Sequence, residues 1–269
     1  MASHPERNAG RKRRGPPVSS GSGGPPKARF QAVSGDWIWG VHAVEAALSN
    51  PARPALRRLV ATPDRARELE RRFGPQKRLE TMDAAGLARL LPAGAAHQGL
   101  ALEGPEPETV DLEDFAPEAG AVLLMLDQVT DAGNVGAILR SAAAFGARGV
   151  ILQERRAPRL SGALAKAAAG AVDILPVARE VNLSRALDRL SDLGWRAVGL
   201  DGDAERDLSA VLDGGPVVLV LGSEGEGVRR LVAEHCDETA RIPMPGGFES
   251  LNVSAAAAVA LYEAARPRR

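Results

Sequence analysis

Five short apolar runs constrain this chain more than any other feature: "AVLLMLD" (121–127), "GARGVIL" (146–152), "VDILPV" (172–177), "WRAVGL" (195–200) and "PVVLVLG" (216–222). They are too continuous for strands with one wet face, so they predict strands covered on both sides, as in a parallel sheet. Between them lie "NVGAILRSAAAFG", "SGALAKAAAGA", "NLSRALDRLSDLG" and "GVRRLVAEHC", which read as helices. Parallel neighbours need long crossover connections, and helices supply them. The alternation predicts a doubly wound α/β domain, whose ligands gather at the carboxyl ends of the strands.

The first part is organised on a smaller scale. "GVHAVEAALSN", "PDRARELERRF" with Pro63 at its opening, and "DAAGLARLL" read as helices, with "LRRLVAT", "KRLETM" and "QGLALEG" as strands. This predicts a small α/β unit over 36–104. A Pro- and acid-rich stretch at 105–120 reads as a linker, and 121–269 as the second domain. Residues 1–35 carry a net charge of +6, leaving −6 for the rest of a neutral chain, and are rich in Gly, Pro and Ser. That composition predicts a disordered basic arm suited to a polyanion such as RNA, or a solubilising tail.

Aromatic residues are only 3%, which argues against RNA recognition by stacking on an aromatic platform. No apolar run reaches the length of a membrane span and no window resembles a signal peptide, so a cytoplasmic protein without membrane contact is expected. The single Cys236 allows no internal disulfide. Glu234-His235-Cys236 lacks nearby metal ligands, so it reads as structural, and no metal is expected.

Three polar patches stand on this apolar scaffold. In "LDQVTDAGNVGAILRS" (126–141), Asn134 is placed to cap a helix, and Arg140, six residues on, reads as within about 60° of its face. A plain cap with a surface Arg is the alternative. In "VVLVLGSEGEGVRRL" (217–231) a buried strand runs into a glycine-rich loop with two carboxylates. It lacks the Lys-Ser/Thr ending of a phosphate loop, and the acids favour a cationic or neutral polar ligand. In "RIPMPGGFESLNVSAAAAVALYEAAR" (241–266), Glu249, Ser250, Asn252 and Ser254 crowd the first turn of a helix that one cap would satisfy. Ser254 is expected to bond its own helix backbone.

"DAGNVGAILRSAAAFGARGVIL", "LVLGSEGEGV" and "IPMPGGFESLNVSAAAAVALYE" resemble the three signature motifs of the SpoU (TrmH-like) family of RNA ribose 2′-O-methyltransferases. "WIWGVHAVEAAL" and "AAHQGLAL" resemble the small L30e-like ribosomal-protein-type RNA-binding domain that precedes the catalytic domain in the ribosomal-RNA members. The resemblance covers about residues 36–266. It implies a parallel-sheet SPOUT domain with a deep trefoil knot, S-adenosyl-L-methionine as methyl donor, a homodimer, and an RNA substrate, ribosomal RNA favoured over transfer RNA. It assigns catalytic positions to Asn134, Arg140, Glu224, Ser250 and Asn252, and cofactor contacts to Gly222, Ile242, Leu251 and Leu200. The expected activity is 2′-O-methylation of a nucleotide, guanosine favoured, in 23S ribosomal RNA. The alternatives are a transfer-RNA enzyme of the family or a silent RNA-binding protein.

Two features qualify the resemblance. "KAAAGA" carries Ala168 where the family often has Ser, so any contact of that hydroxyl is absent. Arg155, Arg156 and Arg159 in "QERRAPRL" read as RNA contacts or as a solvated loop, and His42 and His97 as structural.

Overall fold

The computed structural model describes residues 36–247 and 250–266. The predicted basic arm, and Glu249, lie outside the described residues.

The described residues begin with a four-stranded sheet. In sequence it runs β1 (Trp37–Trp39), α1 (Val41–Ser49), β2 (Arg58–Ala61), α2 (Pro63–Phe73), β3 (Leu79–Thr81), α3 (Ala84–Arg89) and β4 (Leu100–Glu103). The strand order is β1-β4-β2-β3, with β4 antiparallel to both neighbours and β2 parallel to β3. Local signals set the helix ends: Pro63 opens α2 with its fixed φ, and Gly74 closes it at φ +72.

The second sheet has six parallel strands in the order β10-β8-β9-β5-β6-β7. Its elements are β5 (Val122–Leu126), α4 (Ala132–Ala144), β6 (Gly149–Gln153), α5 (Gly162–Ala168), β7 (Val177–Glu180), α6 (Leu183–Asp192) and β8 (Arg196–Leu200). They continue with α7 (Leu208–Val211), β9 (Val217–Leu221), α8 (Arg230–Ala233), β10 (Glu238–Ala240) and α9 (Val253–Ala265). Every side chain of β5 and β9 is buried, as their unbroken apolar runs require of central strands with both faces covered.

Some details differ from the sequence-based expectation, and β1 and α7 were not among the predicted elements. "VDILPV" was expected as a strand, but Ala171–Asp173 is a 3₁₀ turn and the strand begins only at Val177. Val172 and Leu175 face the core while Ile174 is 71% exposed, so the run is a packed turn ahead of Pro176. Helix α8 has only four residues, because positive-φ glycines at 225 and 227 hold the preceding stretch in a loop. The short strand β10 carries no apolar run and was not foreseen.

The segment between the sheets is ordered. Val110 N–H donates to Val177 O at 3.0 Å, and Leu112 and Phe115 are buried beside β6 and β7. The first sheet also packs on the second unit through α1 and α5. Gly170, at φ +100, lies so close to α1 that a Cβ would stand 3.0 Å from His42 O and 2.9 Å from Ala46 Cβ. Beneath this contact Arg53 Nη1 meets Asp173 Oδ1 at 2.5 Å, with side chains only 2% and 3% exposed. Asn50 Nδ2 donates to the same oxygen and Arg53 Nη2 to Pro105 O, while Arg53 Nε is buried without a partner among the described residues.

Candidate active site

At the carboxyl edge of the parallel sheet the chain reverses after each strand, and polar side chains from three distant segments meet there. Leu126, Leu221 and Leu200 end their strands at one level, fixed by the pairings Leu126↔Leu221, Gly199↔Val220 and Leu200↔Ala240.

Asn134 comes from the first turn of α4. It was expected to cap that helix, but Asp131 does so, its Oδ1 accepting from Asn134 N–H at 2.7 Å. Either Asx residue could have served as the cap. With Asp131 in that role, the Asn134 side chain is free for a tertiary contact, and its Nδ2 donates to Glu224 Oε1 at 3.1 Å.

Glu224 stands in the loop after β9. Gly222, the first loop residue, has a steric requirement of its own: a Cβ there would collide with the Gly227–Val228 peptide as the loop folds back on itself. Gly227 N–H closes the reversal by donating to Ser223 O at 3.0 Å. The exit is clamped by Asp127, fully buried at the end of β5, which accepts Arg229 N–H at 2.9 Å and Arg229 Nε at 2.8 Å. A buried carboxylate needs such a charged partner. In the sequence Asp127 reads only as the end of a strand, although a lone acid closing an apolar run is a visible signal of a buried partner.

Asn252 supplies the third side chain and answers why the first turn of α9 is so polar. Its Oδ1 caps the helix, accepting Ser254 N–H at 2.9 Å and Ala255 N–H at 3.4 Å. Its Nδ2 donates to Asn134 Oδ1 at 3.0 Å and to Glu224 Oε1 at 2.5 Å. Ser254 does not bond its helix backbone through its hydroxyl as expected, since Oγ donates to Asn252 Oδ1 at 2.5 Å. Val253 N–H adds a bond to Glu224 Oε1 at 3.4 Å. Four donor contacts thus involve one triad, and those on Glu224 all fall on Oε1. Its Oε2 has no protein donor among the described residues.

Arg140 and Ser250 stand outside this triad. Six residues at 100° each place Arg140 about 120° around α4 from Asn134, so the expected 60° was too small. It is exposed, and no ion pair or hydrogen bond engages it among the described residues. Most other arginines have one, including Arg159, which pairs with Asp36 and Glu106 and so is not a free loop cation. Ser250 is exposed and no hydrogen bond joins it to the triad.

Along the same edge, Leu200 and Ile242 are half-buried against the core and Leu251 is 39% exposed. A Cβ on Gly246 or Gly247 would meet nothing within 4 Å among the described residues. In the segment Glu234-His235-Cys236, His235 Nδ1 meets Asp188 Oδ1 at 2.6 Å, and burial pushes the Cys236 thiol up to about 12. No metal-binding group of His, Cys, Asp or Glu occurs among the described residues.

Residues 121–262 match the family model described as the SpoU rRNA Methylase family. The 23S rRNA (guanosine-2'-O-)-methyltransferase RlmB of Xylella fastidiosa (strain 9a5c) is 42% identical over 244 residues, covering 86% of this chain and 96% of that one. An uncharacterized tRNA/rRNA methyltransferase of Mycolicibacterium vanbaalenii is 44% identical over 182 residues, 66% of this chain. The match spans only 58% of the length of that relative. Among solved structures, the SpoU methyltransferase AviRb from Streptomyces viridochromogenes in complex with the cofactor AdoMet superposes with a TM-score of 0.72 at 27% identity. That match covers 85% of this chain and 88% of that one.

Proposed function

The chain belongs to the SpoU rRNA methylase family, and from that premise we propose that it transfers a methyl group from S-adenosyl-L-methionine to a ribose 2′-hydroxyl of 23S ribosomal RNA, at a guanosine. The observation that carries the reading is the triad. Asn134, Glu224 and Asn252, 90 and 28 residues apart along the chain, bond one another at the edge where an α/β sheet binds its ligands. The near full-length likeness to the RlmB relative favours ribosomal over transfer RNA, since it includes the first sheet.

S-adenosyl-L-methionine, bound at this edge, supplies an electrophilic methyl on a positively charged sulfur. Leu200, Ile242 and Leu251 are assigned apolar contact with its ring system, and Gly222 a contact through its backbone. Glu224 favours the cationic end electrostatically and, through Oε2, can orient a guanidinium. Arg140 is free to hold the phosphate next to the target ribose. A guanidinium stays protonated and only donates, so its part is to position the RNA and to stabilise oxyanion charge as the 2′-hydroxyl proton leaves for solvent. Asn134 and Asn252 fix Glu224, and Ser250 is assigned to the ribose.

The reading extends to the deep knot and the homodimer. In support of the knot, the segment after β10 returns past the glycine loop, where Val253 and Asn252 meet Glu224. In support of the dimer, α4 and α9 leave Phe145, Val259 and Tyr262 partly exposed together, with the Phe145 and Tyr262 rings 6.0 Å apart edge to face. The first sheet is assigned the role of an RNA-binding domain. A cytoplasmic location agrees with the substrate, and no described helix is long and apolar enough to cross a membrane.

The test is methyl transfer in vitro. Purified protein, labelled S-adenosyl-L-methionine and unmodified 23S rRNA transcript should yield one ribose-methylated position. Label on transfer RNA alone would move the substrate, and no binding of the methyl donor by calorimetry would overturn the enzyme reading.

A further inference from the structure

Where the first sheet meets α5, Lys166 pairs with no acid among the described residues. Lys166, on α5, donates from Nζ to Gln98 Oε1 at 2.6 Å, and the same oxygen accepts Val41 N–H at 3.3 Å. Arg53, Arg65, Arg159 and Arg179 flank the same junction, and each pairs with a carboxylate. Lys166 does not: burial pushes its ammonium down from the usual range, and no nearby acid opposes that shift. A half-withdrawn cation without a counter-ion leaves a local positive potential.

Gln98 is built to hold that cation outward. It adopts φ +56, a left-handed conformation uncommon for a residue with a side chain. Three elements fix it there: Lys166 and Val41 on its side-chain oxygen, and Arg65 Nε on its backbone carbonyl at 3.2 Å. An ammonium can only donate, so the oxygen of the carboxamide must face Lys166. The exposed Nε2 then keeps two donor hydrogens, with no protein acceptor among the described residues. Gly40 makes the room, because a Cβ there would collide with Lys166 Nζ and lie 3.0 Å from Gln98 Oε1.

We propose that Lys166 and Gln98 together bind a backbone phosphate of the RNA substrate at the junction of the two sheets. Lys166 supplies the charge and Gln98 Nε2 a directed hydrogen bond. Helix α5 packs directly on α4, since a Cβ at Gly136 would lie 2.6 Å from Leu164 O, so Lys166 stands on the helix next to the one that carries Arg140. The contact would register RNA held by the first sheet against the methyl-transfer edge. It rests on the RNA-methylating reading above and adds a binding residue that the three motifs do not contain.

The experiment measures affinity for 23S rRNA transcript against salt, alongside S-adenosyl-L-methionine affinity and thermal stability. Lys166→Met should weaken RNA binding about 10-fold near physiological salt and reduce the slope of log K against log salt by about 0.7 to 0.9, one phosphate contact. Donor affinity and melting temperature should stay at wild-type values. Gln98→Glu, which neutralises Lys166 in place, gives the same losses and covers the case in which Lys166→Met does not fold. Unchanged affinity and slope in a folded variant, with a wild type that methylates RNA, overturn the phosphate site alone. A wild type that binds no methyl donor overturns the reading beneath it.

Discussion

Two polar clusters hold this molecule's parts in register, and they differ in one variable, water. The Asn134–Glu224–Asn252 triad is made of side chains that are exposed or half-exposed. The Arg53–Asp173 pair, which ties the first sheet to the second unit, is at most 3% exposed. In water a hydrogen bond lost to substitution is largely replaced by solvent, about 1 kcal/mol each. In the interior the partner left behind has no substitute. The buried pair is therefore read through stability and the triad through chemistry, although both join segments about 90 to 120 residues apart.

The comparison breaks most directly at Asp173. Asp173→Leu strands Arg53 in the interior, which costs about 3–5 kcal/mol and should lower the melting temperature by about 10 °C in a calorimetric scan. Replacing both partners, Arg53→Met with Asp173→Leu, should restore most of that loss. A single variant that melts like wild type would show that the pair does not hold the junction.

At the other extreme, Arg140→Ala should reduce kcat about 10²–10³-fold, the range for losing one preorganised electrostatic donor, with no change in melting temperature. Arg140→Lys separates charge from shape: it keeps the cation but loses the bidentate fork, so turnover near wild type would contradict a positioning role. Asn252→Ala lies between the two regimes, because Asn252 is both cap and triad member. It should cost about 1 kcal/mol of stability and a further loss of turnover, whereas Ser254→Ala should show much less of either.

A prediction that touches neither cluster's function concerns Cys236. With its thiol pushed up to about 12 by burial first, and by Asp237 and Asp127, native alkylation at pH 8 should be on the order of 10²–10³-fold slower than after denaturation. Rapid labelling of native protein would contradict the packing at the end of α8.

What the sequence made legible follows from the range of each interaction. The bounds of α2 are readable because Pro63 and Gly74 act on their own neighbours. The parallel sheet is readable because burial on both faces is written into each strand separately. The 3₁₀ turn at Ala171–Asp173 was hidden, since a short apolar run looks alike whether it is a strand or a packed turn. Of the site, residue types and their places at helix starts were legible, and family resemblance supplied their roles. The assignment of the cap to Asp131, and the steric reason for Gly222, depend on contacts that only the folded chain defines. Arg53 and Asp173 carry no local signal, because nothing near either residue reveals its partner 120 positions away.

The account depends on Asn134, Glu224 and Asn252 working as one unit at a methyl-transfer site, and a double-mutant cycle reads that directly. Asn134→Ala, Asn252→Ala and the double variant would be compared by kcat/KM for methylation of 23S rRNA transcript. A coupled unit predicts that the double variant is little worse than the poorer single one, a strongly non-additive cycle. Losses that simply multiply would show side chains acting independently and contradict the account.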